Sequence, residues 1–252
     1  MIEIKNLSYG YEKGIYILDN ISLTIEDNSV LAILGRNGCG KSTLLSCLLG
    51  FNNVDSIYID NECINNISVN LLARKIAYIP QNYHQNIDYT VFEFILFGRN
   101  PYVKIGSKLS ENDYELAYKS ADKCGLKNII NKSINKISGG EMQLVYIARA
   151  LTQDTKIIIM DEPASALDFG NQTKLFMLIK ELNQTGKTII FTTHNPNHLI
   201  NFNCNVLLIN NDGTVIFGKR NDVLTIENLK NIYGNYISGK DGYFINNISF
   251  IE

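Results

Sequence analysis

An α/β fold built on a mostly parallel central sheet is what this 252-residue chain predicts, and three observations carry the prediction. The runs Val30-Leu31-Ala32-Ile33-Leu34, Ile157-Ile158-Ile159-Met160 and Val206-Leu207-Leu208-Ile209 are apolar throughout, as strands covered on both sheet faces are. Helical periods over 140–151 and 172–183 alternate with such runs, the order that brings strands side by side through helical crossovers. A glycine-rich segment, residues 35–43, sits directly behind the first run, where a strand should pass into a helix.

The elements follow in chain order. Residues 2–7 and 21–25 read as early strands. A helix is expected over 41–49, ended by Gly50. From about 89 to 135 the apolar residues keep helical spacing (Val91, Phe92, Phe94, Ile95 and Phe97, then Tyr114, Ala117 and Ala121 behind a Ser110 cap), with no convincing strand. Thr188–Thr193 is a further central strand, 225–233 a short helix, and 243–251 a strand pair.

Composition narrows the function classes. A 45% apolar share is ample for a buried core, and a formal net charge of -2 without any Lys/Arg block gives no support to nucleic acid as a partner. Five cysteines, an odd set without C-x-x-C spacing, point to a reduced cytosolic setting. Met1-Ile2-Glu3-Ile4-Lys5 lacks the layout of a signal peptide, and no apolar run approaches the ~20 residues that cross a bilayer. The chain is therefore expected to be soluble, with any membrane role exercised through a partner.

Gly35-Arg36-Asn37-Gly38-Cys39-Gly40-Lys41-Ser42-Thr43 fits G-x-x-x-x-G-K-[ST] and puts a nucleoside triphosphate at the centre of the reading. Gly35, Gly38 and Gly40 are expected to let the backbone turn through angles closed to other residues, so that successive N–H groups face phosphate oxygens. The helix beginning near Lys41 adds its positive dipole end. Lys41 neutralises the β- and γ-phosphates, and the Ser42 hydroxyl is placed to ligate Mg²⁺. Cys39, near that helix start, is either a reactive thiol that bound nucleotide protects from alkylation or a small filler residue.

Four later segments complete the pattern. Asp161-Glu162 ends an apolar strand where ligands bind in open parallel sheets, with Asp161 supporting Mg²⁺ and Glu162 polarising the attacking water. Some twenty residues earlier, Lys136-Ile137-Ser138-Gly139-Gly140-Glu141 opens a second helix with an anion site at its N-terminus. Pro163-Ala164-Ser165-Ala166-Leu167-Asp168 follows Glu162 at once, and His194 ends the strand Thr188–Thr193.

In this order the motifs resemble the ATP-binding-cassette family over essentially the whole chain. The resemblance implies a single cassette ATPase domain over 1–252. Its P-loop NTPase core carries an N-terminal antiparallel β subdomain and a helical subdomain inserted at about 84–137. It implies that two cassettes sandwich two ATP molecules, with Ser138, Gly139 and Gly140 facing the nucleotide of the opposite subunit. Gln81 in Ile79-Pro80-Gln81 is then the glutamine-loop residue, catalytic and near the metal. Asp168 ends the loop that crosses the dimer, His194 is the switch histidine, and Tyr11 stacks on adenine. Two departures, Ile137 for leucine and Glu141 for glutamine, leave the Ser-Gly-Gly atoms unchanged, and Asn28-Ser29 stands where the family commonly has a glycine turn, whose positive φ Asn can adopt.

Residues 91–102, shortly after Gln81, and 223–234 look like the corresponding segments of importers of ferric siderophores, haem and vitamin B12. The resemblance thus implies an ATP-hydrolysing subunit peripheral to the cytoplasmic face of the membrane. It would work as a homodimer with membrane-spanning permease subunits and, indirectly, a substrate-binding protein. An exporter ATPase is one rival. A soluble cassette ATPase acting on DNA or ribosomes is the other, and it usually carries a long coiled-coil insertion, for which 97 positions between Lys41 and Ser138 without sustained heptads leave no room.

Overall fold

The computed structural model describes residues 1–81, 88–104, 106–200, 202–210, 212–234, 237–240 and 243–246. The chain divides into two compact units, Met1–Ile67 with Leu182–Glu252, and Ser68–Glu181.

The chain enters the first unit through strands β1 (Ile2–Tyr9), β2 (Leu18–Ile25) and β3 (Val30–Leu34), then helix α1 (Lys41–Leu48) and the short strands β4 (Ile57–Ile59) and β5 (Glu62–Cys63). It passes into the second unit with α2 (Val69–Lys75), β6 (Ile76–Ile79), α3 (Val91–Leu96), α4 (Glu111–Lys123), α5 (Gly139–Gln153), β7 (Ile157–Met160) and α6 (Phe169–Gln184). It returns with β8 (Thr188–Thr193), β9 (Asn205–Ile209), β10 (Val215–Lys219), α7 (Arg220–Val223), α8 (Ile226–Tyr233) and the hairpin β11 (Ile237–Lys240) and β12 (Tyr243–Asn246).

In the first unit β2, β1, β4 and β5 form an antiparallel sheet. β1 and β2 run further than their apolar pattern announces, pairing Tyr9 with Leu18, because register shifts after Ile4 and Leu7 break the two-residue alternation. Asn6 (φ 51°) and Asn20 (φ 49°) take up the left-handed backbone there. In a second sheet β3 lies parallel to both β8 and β9, and β10 closes the edge antiparallel to β9. Every residue of β3 and β8 is buried, which is why both read as unbroken apolar or threonine-capped runs. Asn28 has φ 58°, as the turn requires; its N–H donates to Thr188 Oγ1 at 3.0 Å, and Asn183 Nδ2 donates to its carbonyl at 2.8 Å.

In the second unit β6 and β7 are parallel, in register from Ile76 with Ile157 to Ile79 with Met160. α3 and α4 pack on α5. Phe94 meets the Tyr146 ring edge-on at 5.0 Å, and Ala117 and Ala121 turn their small side chains inward. Tyr114, expected on the same face, stays half exposed and stacks with Phe92. Between Tyr89 and Asn135 the described residues hold α3, α4 and 3₁₀ turns, with only an isolated bridge between Thr90 and Ser133. Residues 84–87, at the expected start of the helical insertion, lie outside the described residues.

Helix starts follow capping chemistry. Thr90 with Glu93, Ser110 with Asp113, and Ser138 with Glu141 form reciprocal capping boxes. Asp168 accepts from the Asn171 N–H at 2.9 Å, which explains why α6 starts three residues before its periodic pattern. The expected strand pair at 243–251 is the β11–β12 hairpin, displaced toward the N-terminus; residues 247–252 lie outside the described ones. Among the described residues no helix is long and apolar enough to cross a membrane.

Candidate nucleotide site

The first unit holds the glycine-rich loop between β3 and α1. Arg36, Asn37 and Gly38 are exposed, whereas Gly35, Cys39 and Gly40 are covered. Gly38 (φ 84°) and Gly40 (φ 105°) have the left-handed backbone that glycine favours. Gly35 does not: it is glycine because a Cβ there would stand 2.5 Å from Cys39 Sγ and 2.9 Å from the Ile209 carbonyl oxygen. This corrects the expectation that all three glycines serve unusual angles. α1 begins at Lys41 with no side-chain cap and no acidic residue in its first turn, a helix start whose dipole favours an anion. Lys41 is 5% exposed, and its Nζ donates to the carbonyls of Gly35 (2.9 Å) and Arg36 (3.0 Å) across the loop. Ser42 is exposed and Thr43 buried.

For Cys39 the burial favours the small-filler reading over the reactive thiol. Its side chain is 7% exposed and turns back over Gly35, away from the loop's open side. It is a packing residue that fixes the turn, not an accessible thiol.

His194 belongs to the same unit. β8 and β3 are parallel with Thr193 opposite Leu34, so His194 leaves one strand beside the point where Gly35 leaves the other. The His194 side chain is exposed. Its backbone carbonyl accepts a 2.7 Å hydrogen bond from the Tyr233 hydroxyl on α8. The sequence carried no sign of that contact, which joins positions 39 apart. Tyr11, in the loop between β1 and β2, is 65% exposed and sits edge-on to Tyr9 at 5.4 Å. Further along this loop, Ile17 and Leu18 lie against Gly40, where a Cβ would meet them at 2.9 and 3.1 Å.

The second unit carries the carboxylates. β7 ends at Met160, and the Asp161 N–H still donates to the Ile79 carbonyl at 2.8 Å, which holds Asp161 at the sheet edge. Glu162 then adopts φ 44°, an unusual value for a side-chain-bearing residue and of the kind held at functional sites. Both carboxylates are nearly buried. Gln81 Nε2 donates to Glu162 Oε2 at 3.1 Å. Burial, with the Asp161 charge behind it, pushes the Tyr78 hydroxyl up to about 12, so it stays protonated beside the carboxylate.

Ser138, Gly139 and Gly140 open α5 on an exposed corner, and a Cβ on Gly139 would meet nothing within 4 Å. Ser138 N–H and Oγ–H donate to Glu141 Oε2 at 2.7 and 2.9 Å, and these bonds hold the Glu141 carboxyl below its ordinary range. Asp168 is exposed at the head of α6.

The structure therefore joins Gln81 with Glu162, and the loop 35–43 with the His194 strand end. In the first unit the uncapped helix start and buried ammonium suit phosphate oxygens. In the second, Asp161 and the Gln81 amide offer oxygen ligands, the kind a hard divalent cation takes. No group of three or more His, Cys, Asp or Glu gathers as a metal site among the described residues.

The chain is similar to known proteins. The ABC transporter family model matches residues 18–165. The molybdate import ATP-binding protein MolC of Haemophilus influenzae is 33% identical over 92% of this chain and 87% of its own length. The petrobactin import ATP-binding protein FpuD of Bacillus anthracis is 31% identical over 92% and 86%. A metal-chelate type ABC transporter solved in an inward-facing conformation superposes with a TM-score of 0.82 at 30% identity, covering 97% of this chain and 94% of that one. With a family model spanning more than half of its residues and relatives above 30% identity along nearly all of its length, the chain belongs to the ABC transporter family and has its P-loop ATPase fold.

Proposed function

We propose that this chain binds and hydrolyses ATP to power an importer for an iron chelate (a siderophore or haem) or cobalamin. The observation that carries the reading is the loop of the first unit: an uncapped helix start, a buried Lys41 spanning two loop carbonyls, and His194 on the neighbouring strand end. Relatives named for petrobactin and for a metal chelate support the cargo class.

In this reading Lys41 and the N–H groups of residues 37–43 hold the β- and γ-phosphates, and Tyr11 stacks on adenine. Ser42, Asp161 and Gln81 hold Mg²⁺, which when bound neutralises charge on the phosphate oxygens. Because Gln81 spends Nε2 on Glu162, its Oε1 is the end left to act as a ligand. Glu162 takes the proton of the attacking water as the new oxygen–phosphorus bond forms and the bond to the departing ADP breaks. His194 steadies the γ-phosphate. Ser138, Gly139, Gly140 and Asp168 serve the nucleotide of a second copy across a homodimer.

The work is passed to membrane-spanning permease subunits, with a substrate-binding protein upstream, from the cytoplasmic face of the membrane. Reconstitution with the permease tests the cargo. ATPase stimulation and uptake with a ferric siderophore, haem or cobalamin are expected, and stimulation by molybdate alone would overturn the chelate assignment.

A further inference from the structure

The end of the chain folds back on the His194 strand end. Tyr233, the last residue of α8, donates its hydroxyl to the His194 carbonyl at 2.7 Å. Three residues after His194, Asn197 imitates a strand: its Nδ2 donates to the Phe244 carbonyl at 3.0 Å, and its Oδ1 accepts the Phe244 N–H at 2.8 Å. The loop between these anchors is itself tied, with Asn195 N–H donating to Thr193 Oγ1 at 3.1 Å and His198 Nδ1 lying 2.9 Å from that hydroxyl. His194, Asn195, Asn197, Tyr233, Ile237 and Phe244 line a cavity of about 410 Å³ beside these contacts.

A carbonyl that accepts a hydrogen bond fixes the peptide plane on the C-terminal side of its residue. That plane, through the ψ angle of His194, helps set where its Cα–Cβ bond points, one residue past the last β3–β8 pair at Thr193. We propose that Tyr233 is a positioning residue for His194, and that α8 with the β11–β12 hairpin forms a clamp holding the imidazole where the γ-phosphate will lie. The inference rests on the reading of His194 as a γ-phosphate contact. It concerns residues outside the loop, the strand ends and the Ser138 corner.

Tyr233→Phe in the full chain keeps the ring and removes only the donor. The expected result is a kcat for ATP lowered about 10-fold, short of the roughly 100-fold that a misplacement of about 1 Å can cost, with KM for ATP unchanged within about twofold. Placed on His194→Ala, the same substitution should cost nothing further. In protein labelled at histidine with ¹³C the His194 ring signal should move in Tyr233→Phe. Asn197→Leu, which drops both hairpin bonds, gives a second route should Tyr233→Phe fold poorly, and should lower kcat in the same way.

An unchanged kcat and an unmoved His194 signal in Tyr233→Phe, or an equal further loss on the His194→Ala background, would overturn the clamp. The underlying reading would stand if His194→Ala alone is slow. Full turnover by His194→Ala would instead remove His194 from the phosphate site, and the clamp's effect on catalysis with it.

Discussion

Gln81 Nε2 lies 3.1 Å from Glu162 Oε2 and donates to it, joining two residues 81 positions apart. One end of the Gln81 amide thus steadies the proposed base. A conformational change that moves residue 81 therefore reaches the carboxylate directly.

Glu162→Gln should bind ATP yet hydrolyse it at least about 100-fold more slowly, because the phosphate contacts remain while the water loses its base. It should accumulate as a nucleotide-bound dimer, visible by size-exclusion chromatography with ATP present. Glu162→Gly should be equally inactive but melt higher by about 2–4 °C, since glycine relieves about 1 kcal/mol of strain at φ 44°. Ordinary turnover by Glu162→Gln would remove the residue from its role.

Lys41→Ala removes a buried ammonium that bridges the carbonyls of Gly35 and Arg36. A charge-assisted bond from that ammonium to a phosphate oxygen contributes about 1.5–3 kcal/mol, so nucleotide affinity should fall by roughly 10–150-fold. Titration with a fluorescent ATP analogue reads the loss directly, and unchanged affinity would contradict the phosphate assignment.

Arg99 Nε donates to Asp113 Oδ1 at 2.7 Å and its NH1 to the Thr152 carbonyl at 3.1 Å, with both side chains nearly buried. Asp113→Ala takes the carboxylate from that guanidinium and removes the N3 half of the α4 capping box, and should cost about 3 kcal/mol in urea unfolding. The Ser110 hydroxyl and N–H, followed by Arg99, hold the Asp113 carboxyl below its ordinary value. A carboxyl lowered by folding stabilises the native state above its unfolded pKa of about 3.9 and loses that contribution as pH falls through the lower native value. The gap between wild type and Asp113→Ala should therefore narrow below about pH 4, which a pH series of urea melts would measure.

Native protein should react slowly at Cys39 with a thiol-alkylating reagent, with or without ATP, because the side chain is covered and turned over Gly35. Mass spectrometry of the labelled peptide checks this. Fast labelling that ATP prevents would restore the reactive-thiol reading.

Much of the site was legible in the chain itself because its chemistry is local. β3 and β7 follow from unbroken apolar runs, since a strand buried on both faces admits nothing else. The loop 35–43 needs small residues and a lysine at fixed spacing, and Asn28 announced its left-handed turn. Only the tertiary structure decided that Gly35 is glycine for want of room, that Cys39 points inward, that Gln81 reaches Glu162, and that Tyr233 grips His194. Each of those depends on which strand ends and helix ends come to lie together. A contact across dozens of residues leaves no mark on the spacing of its partners in one sequence.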